Sequence, residues 1–250
     1  MDLGRAMEWL DGARGADGWG YRPDEPAAPE PTALCRAAGV PAVPPLPSGP
    51  GVGAWGALVW PWAAAGAGPG VDEALRVLLA WPVLQTDETA GRYSGRFAGW
   101  SWVPGTFSWV EPTAWALLSL EAAGLGAHPR AVEGRALLAD RQCVDGGWNT
   151  SAPDVFGVPV PAYQSTTAMV LAALPAGHPA AAHGWGWLRQ DVEGPSPLAA
   201  AWSVLAAARH GEDPAPHRAR LAALQAPDGS LSGRVDRTAL AVAAVRRAAL

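Results

Sequence analysis

A five-residue pattern recurs along the chain and constrains the fold more than any other feature. Glu30-Pro31-Thr32-Ala33-Leu34 returns as Glu111-Pro112-Thr113-Ala114-Trp115. Looser copies are Ser165-Thr166-Thr167-Ala168-Met169, Ser196-Pro197-Leu198-Ala199 and Asp236-Arg237-Thr238-Ala239-Leu240. Each opens a run rich in Ala and Leu. Proline after a polar or acidic residue marks a helix start, because its missing N–H would be unpaired there in any case. Copies repeated in this way point to one supersecondary unit used several times. A further start within residues 52–60, VGAWGALVW, brings the number to six.

Small residues mixed with Leu and Val on all sides predict that these helices are buried all round. Between them lie amphipathic segments at 3–12, 71–81, 130–142, 181–190 and 217–225, whose charges fall on a stripe suited to an outer layer. Pairs of one buried and one exposed helix can close into two concentric layers. The expected fold is all-α: an α/α toroid, a double barrel of about six helical hairpins, in one domain over residues 1–250. The hairpin at 52–60 is expected to be incomplete, its outer helix replaced by a proline-rich stretch. An open superhelix of helix pairs is the competing arrangement.

Composition narrows the partners. Only 16% of residues are charged and about half are apolar, which excludes a wholly disordered chain. A net charge of −5 excludes a nucleic-acid partner bound through its phosphates. Two cysteines, Cys35 and Cys143, make no disulfide framework, and the opening MDLGRAMEWLDG lacks a secretion pattern, so a cytoplasmic location is the default expectation. Residues 37–71 are uncharged but broken by Pro41, Pro44, Pro45, Pro47, Pro50 and Pro61. Such a stretch cannot span a bilayer as a regular helix, and membrane contact is expected to be peripheral at most.

The most specific turn runs from Leu138 to Trp148, LADRQCVDGGW. Glycine accepts the positive φ of a tight reversal. The Gln142 amide can pair with backbone groups at two helix ends while the Trp148 ring covers the contact. This reads as a staple between hairpins rather than as chemistry. A Gln followed by Gly-x-Trp resembles the repeat of squalene–hopene and oxidosqualene cyclases, in the superfamily that also holds the protein prenyltransferases. Weaker echoes are Asp17-Gly18-Trp19, Gln225 to Leu231 with Leu in place of Trp, and Gln190 to Gly194.

The resemblance implies an apolar isoprenoid ligand in the hollow of the inner barrel, open where the inner helices start. That mouth would be ringed by Glu30, Glu111, Gln164 or Ser165, Ser196 and Asp236. Converging helix N-termini would favour an anion such as a diphosphate. The Asp-x-Asp-Asp acid of the cyclases is absent. At the positions of the prenyltransferase zinc ligands stand Glu111-Pro112-Thr113 and Tyr163-Gln164-Ser165, a set that zinc disfavours. Neither a metal nor a cofactor is expected.

What remains is Glu111 within GWSWVPGTFSWVEPTAW, where Trp100, Trp102, Phe107, Trp109 and Trp115 surround one carboxyl in sequence. Desolvation raises the pKa of such a carboxyl, which suits a general acid, and aromatic faces stabilise carbocations. The alternative is that Glu111 caps its helix, as the equivalent Glu30 would, and that the tryptophans fill core space. The candidate proton donor is Glu111; the candidate ligand contacts are Glu30, Trp100, Trp102, Phe107, Trp109, Thr113, Trp115, Tyr163, Gln164 and Asp236. His128, His178, His183, His210 and His217 read as surface residues. Three functions fit: an isoprenoid-handling protein, with acid-catalysed cyclisation or isomerisation as its reaction; a non-catalytic toroid that binds a lipid, a polyprenyl carrier or a protein partner; or a glycan-processing barrel with paired carboxylates.

Overall fold

The computed structural model describes residues 1–44, 54–86, 89–90, 93–190 and 195–249. Its helices follow the repeat. Those opened by the recurring pattern are α2 (Pro29–Ala37), α3 (Ala54–Ala63), α5 (Val110–Ala122), α7 (Gln164–Ala173), α9 (Pro197–His210) and α11 (Val235–Arg247). The amphipathic segments form α1 (Leu3–Gly12), α4 (Val71–Leu79), α6 (Pro129–Asp140), α8 (Pro179–Leu188) and α10 (Ala215–Leu224). The fold class is all-α, with two short antiparallel strand pairs among the described residues that the sequence reading does not include. One is β1 (Thr89–Ala90) with β2 (Tyr93–Ser94), and the other is β3 (Asp154–Val155) with β4 (Val158–Pro159). The second turns through Phe156 and Gly157, both at positive φ, as a tight two-residue hairpin requires.

The recurring helices pack in a closed cycle: α2 on α3, α3 on α5, α5 on α7, α7 on α9, α9 on α11, and α11 back on α2. In α5 every residue from Pro112 to Leu120 is buried, as a helix enclosed on all sides requires. Each outer helix lies against the inner helix that precedes it in sequence: α4 on α3, α6 on α5, α8 on α7 and α10 on α9, while α1 covers α11. The hairpin at 52–60 is not incomplete as expected: α4, an amphipathic helix, serves as the outer partner of α3. Residues 45–53 of the proline-rich stretch lie outside the described residues, as does the Gln190–Gly194 echo beyond Gln190.

Inside the cycle the axis is filled. Trp62 of α3, Trp115 of α5 and Trp202 of α9 meet with ring centroids 5.5 Å apart (62–115), 4.9 Å (115–202) and 6.3 Å (62–202). The two shorter contacts are edge-to-face, the arrangement that aromatic quadrupoles favour. Below them the Arg247 guanidinium sits 4.0 Å from the Trp62 ring. Pro61 interrupts α3. There the fully buried Ser119 of α5 enters the ladder, its Oγ accepting from Trp62 N at 3.2 Å and donating to Leu58 O. One hydroxyl thus links an N–H and a carbonyl four residues apart beside a proline that has no N–H of its own to give.

The turns explain the threonine of the repeat. The backbone N–H of Trp19, Trp100, Trp148 and Leu231 donates to Oγ1 of Thr32, Thr113, Thr167 and Thr238 at 3.0, 2.9, 2.9 and 2.8 Å. The indole N–H of Trp19, Trp100 and Trp148 then donates to Leu10 O, Leu78 O and Leu138 O, carbonyls at the ends of the outer helices. Gln142 Nε2 donates to Gly146 O at 2.7 Å and to Ala180 O of α8 at 2.9 Å. The Gln225 amide repeats this on Gly229 O at 3.0 Å and Asp2 O at 2.9 Å, and also accepts from Asp2 N at 2.7 Å. This last set joins the final hairpin to the first. Gly146 and Gly229 hold φ near +100°, and a Cβ on Gly229 would lie 2.4 Å from Arg5 O, so these positions tolerate no side chain.

Candidate functional site

Above the tryptophan triad, at the N-terminal end of the inner helices, a cavity of about 190 Å³ remains. Its lining is the repeat read twice per helix. Glu30 and Leu34 come from α2, Glu111 and Trp115 from α5, Ser165 and Met169 from α7, Leu198 and Trp202 from α9, and Asp236 and Leu240 from α11. Residues four apart on a helix lie one above the other. The first member of each pair therefore forms an upper ring that is largely polar, and the second an apolar floor. Among the described side chains α3 adds none; Trp102, from the loop before α5, completes the wall.

Three carboxyls thus share one small space, each held differently. Tyr21 Oη donates to Glu30 Oε2 at 2.7 Å. Burial pushes the Glu30 carboxyl up to about 7; the Tyr21 bond opposes this, while the nearby charges of Asp236 and Glu111 add to it. Thr166 Oγ1 donates to Glu111 Oε1 at 2.8 Å, and burial again raises that carboxyl against the hydrogen bond. Asp236 is gripped by the fork of Arg234 at 2.8 and 3.0 Å. The Arg234 guanidinium lies 5.1 Å from the Tyr21 ring, and Val235 N donates to Tyr21 O at 2.9 Å, so the Tyr21 loop is fastened to α11.

The helix-capping role expected for Glu111 and Glu30 is not what these residues do. The N-caps of α5 and α2 are Trp109 and Ala28, with no side-chain capping bond, and the carboxyls bond across to other segments. A diphosphate at the mouth would meet these carboxyls, which oppose the partial positive charge of the helix ends. Among the described residues no group of three or more His, Cys, Asp or Glu is arranged to hold a metal ion.

The other sequence candidates divide between places. Trp102, Trp115, Glu30, Glu111 and Asp236 line the central cavity. Ser165 rather than Gln164 supplies the α7 position: Gln164 is buried and lines a separate cavity of about 390 Å³ between α7, α8, α9 and α10. Ser196 accepts from Ala199 N as the N-cap of α9, and Leu198 takes its place in the ring. Trp100 and Thr113 belong to a turn staple and do not line the cavity. Phe107 and Trp109, 52% and 36% exposed, line an outer groove of about 620 Å³, and Tyr163 is exposed at the start of α7. Sequence reading missed Tyr21, Thr166, Trp202 and Arg234. A usable signal did exist for Trp100: it precedes Thr113 by 13 residues, as Trp19 precedes Thr32. His128 and His178 cap α6 and α8 through Nδ1, and none of the five histidines is buried.

No protein-family model matches the chain, and no curated relative matches it. Solved structures similar to it include the type II terpene cyclase MstE from Scytonema in its apo form, with 16% identity over 99% of this chain and 96% of that one and a TM-score of 0.44. A protein from Actinoplanes has 19% identity over 99% and 98%, with a TM-score of 0.41. A variant of MstE in complex with geranylgeranyl dihydroxybenzoate, its substrate, has 16% identity over 99% and 96%, with a TM-score of 0.37.

Proposed function

We propose that this chain, acting as one domain, binds the apolar end of an isoprenoid in its central cavity and isomerises or cyclises it by acid catalysis. The observation that carries the reading is the meeting of Glu30, Glu111 and Asp236 with Trp102, Trp115 and Trp202 in one small cavity. The isoprenoid class rests on the sequence resemblance, and the chemistry on the site. Glu111 in its acid form gives a proton to a carbon–carbon double bond, leaving a tertiary carbocation and a carboxylate. The indole faces stabilise the cation. Glu30, at about 7, has its basic form populated at neutral pH and takes a proton from the adjacent carbon, which restores a double bond. Solvent then returns both carboxyls to their starting forms. An apolar cavity of roughly 150 Å³ holds a benzene-sized ligand, so about 190 Å³ admits a prenyl terminus rather than a whole chain.

The test is deuterium incorporation from heavy water into a panel of prenyl alcohols, read by mass spectrometry. Wild-type protein labels at least one of them, and Glu111→Gln lowers the rate by about a hundredfold or more. Unchanged labelling by that variant removes the role of Glu111. A second reading, a non-catalytic toroid that binds a lipid or a protein, is favoured by the tryptophan triad that fills the axis. No labelling by wild-type protein, together with a lipid that co-purifies with it, selects that reading.

A further inference from the structure

The central cavity and the outer groove have one lining residue in common, Trp102. The groove is about three times the larger, at about 620 against 190 Å³. Its walls include Leu84, Phe97, Val103, Phe107 and Trp109. Of these, Leu84, Val103 and Phe107 are 48%, 60% and 52% exposed, an apolar concentration of the kind that marks a binding surface. The segments carrying them are braced: Leu84 N donates to Thr106 O at 3.0 Å, and Gly105 N donates to Pro82 O at 2.8 Å. Ser101, fully buried, accepts from Trp81 Nε1 at 3.1 Å and donates to Val103 O at 2.6 Å. The backbone on both sides of Trp102 is therefore fixed, while its indole is only partly buried between two spaces.

We infer that the outer groove holds the body of the ligand whose end reaches the carboxyls, and that Trp102 is the partition that sets how much of the chain passes inward. This rests on the isoprenoid reading above and adds the ligand's class. The one charged side chain among the described groove residues is Arg141, which is already paired with Asp140 and donates to Ser94 O at 3.1 Å. The remaining polar groups of the lining are uncharged. The ligand is accordingly a long, uncharged prenyl compound, not a prenyl diphosphate, whose desolvated charge would go uncompensated in the groove.

Calorimetric titration of the full chain with geraniol, farnesol, geranylgeraniol and geranylgeranyl diphosphate tests this. In wild-type protein geranylgeraniol binds more tightly than its diphosphate. Trp102→Ala, which joins the two spaces, changes the preference for geranylgeraniol over geraniol by about tenfold, the scale set by small changes of volume in an apolar pocket. Phe107→Ala, at an exposed position that does not threaten folding, weakens geranylgeraniol by about tenfold and leaves geraniol within about twofold. Binding with the same length preference in all three proteins, or tighter binding of the diphosphate, overturns the partition and leaves the central-cavity reading standing. Failure of every alcohol to bind wild-type protein overturns both.

Discussion

Replacing Glu30 by Gln should remove a pH dependence of stability that the wild-type protein carries. In the folded chain burial raises this carboxyl from its ordinary 4.5 to about 7, so the folded state holds the proton more tightly than the unfolded state. The stability contributed by the protonated group is full below about pH 4.5 and is lost as the pH rises through about 7. At about 1.4 kcal/mol for each tenfold change in proton affinity, the rise from 4.5 to about 7 corresponds to a loss of about 3.5 kcal/mol, an upper bound because the side chain is not fully buried. Gln is nearly isosteric with the protonated acid and cannot ionise. The difference in unfolding free energy, variant minus wild type, should therefore be small at about pH 4.5 and grow to between about 1 and 3 kcal/mol in favour of the variant by about pH 8. Urea denaturation at several values across that window gives the curve, and taking the difference cancels the other titrating groups. Tyr21→Phe should shift the wild-type transition to higher pH, because the Tyr21 hydrogen bond favours the charged form. A difference that stays constant across the window would refute the reasoning.

Three further outcomes follow from the packing. Ser119→Ala leaves Leu58 O and Trp62 N without their shared partner beside Pro61 and should cost about 2–3 kcal/mol by chemical denaturation; a loss below about 0.5 kcal/mol would mean the helix closes on itself instead. Gln225→Ala removes three bonds at a partly exposed site, lowering stability by about 1–2 kcal/mol and speeding amide exchange in α1 more than in α6. Trp202→Ala empties one corner of the triad and should cost about 3–5 kcal/mol while enlarging the central cavity, both checked by thermal unfolding with and without benzene.

Much of this architecture was legible in the repeat because helices announce themselves locally. The recurring Glu-Pro-Thr-Ala pattern marks helix starts within one or two residues of those observed, and charge stripes separate outer from inner helices. Glu30, Glu111 and Asp236 share a cavity because equivalent positions of a repeat occupy equivalent heights in a cyclic arrangement. Gln225 looked like a degraded copy of Gln142, since Leu231 stands where Trp is expected. Leu231 keeps the backbone N–H that Thr238 accepts and supplies apolar cover, and the Gln225 amide keeps its bonds, so this copy loses only the indole bond to the outer helix.

Contacts between segments distant in sequence were not legible. Trp100 and Trp115 sit in one aromatic run, yet one N–H reaches back to α4 while the other ring turns inward to Trp62 and Trp202. Tyr21 precedes its helix by a loop, and the attachment of that loop to α2 through Trp19 and to α11 through Val235 places its hydroxyl on Glu30. The sequence by itself determined the helices and their two layers, because these depend on periodicity and on residue types at equivalent positions; the ring at the mouth was an implication of the resemblance, and Leu198 stands in it where Ser196 was expected. Only the tertiary structure decided that the axis is filled, that about 190 Å³ remains above it, and that Glu30 favours its proton. Those properties depend on the small volume left after many side chains have packed and on the water it excludes, and no local pattern encodes either.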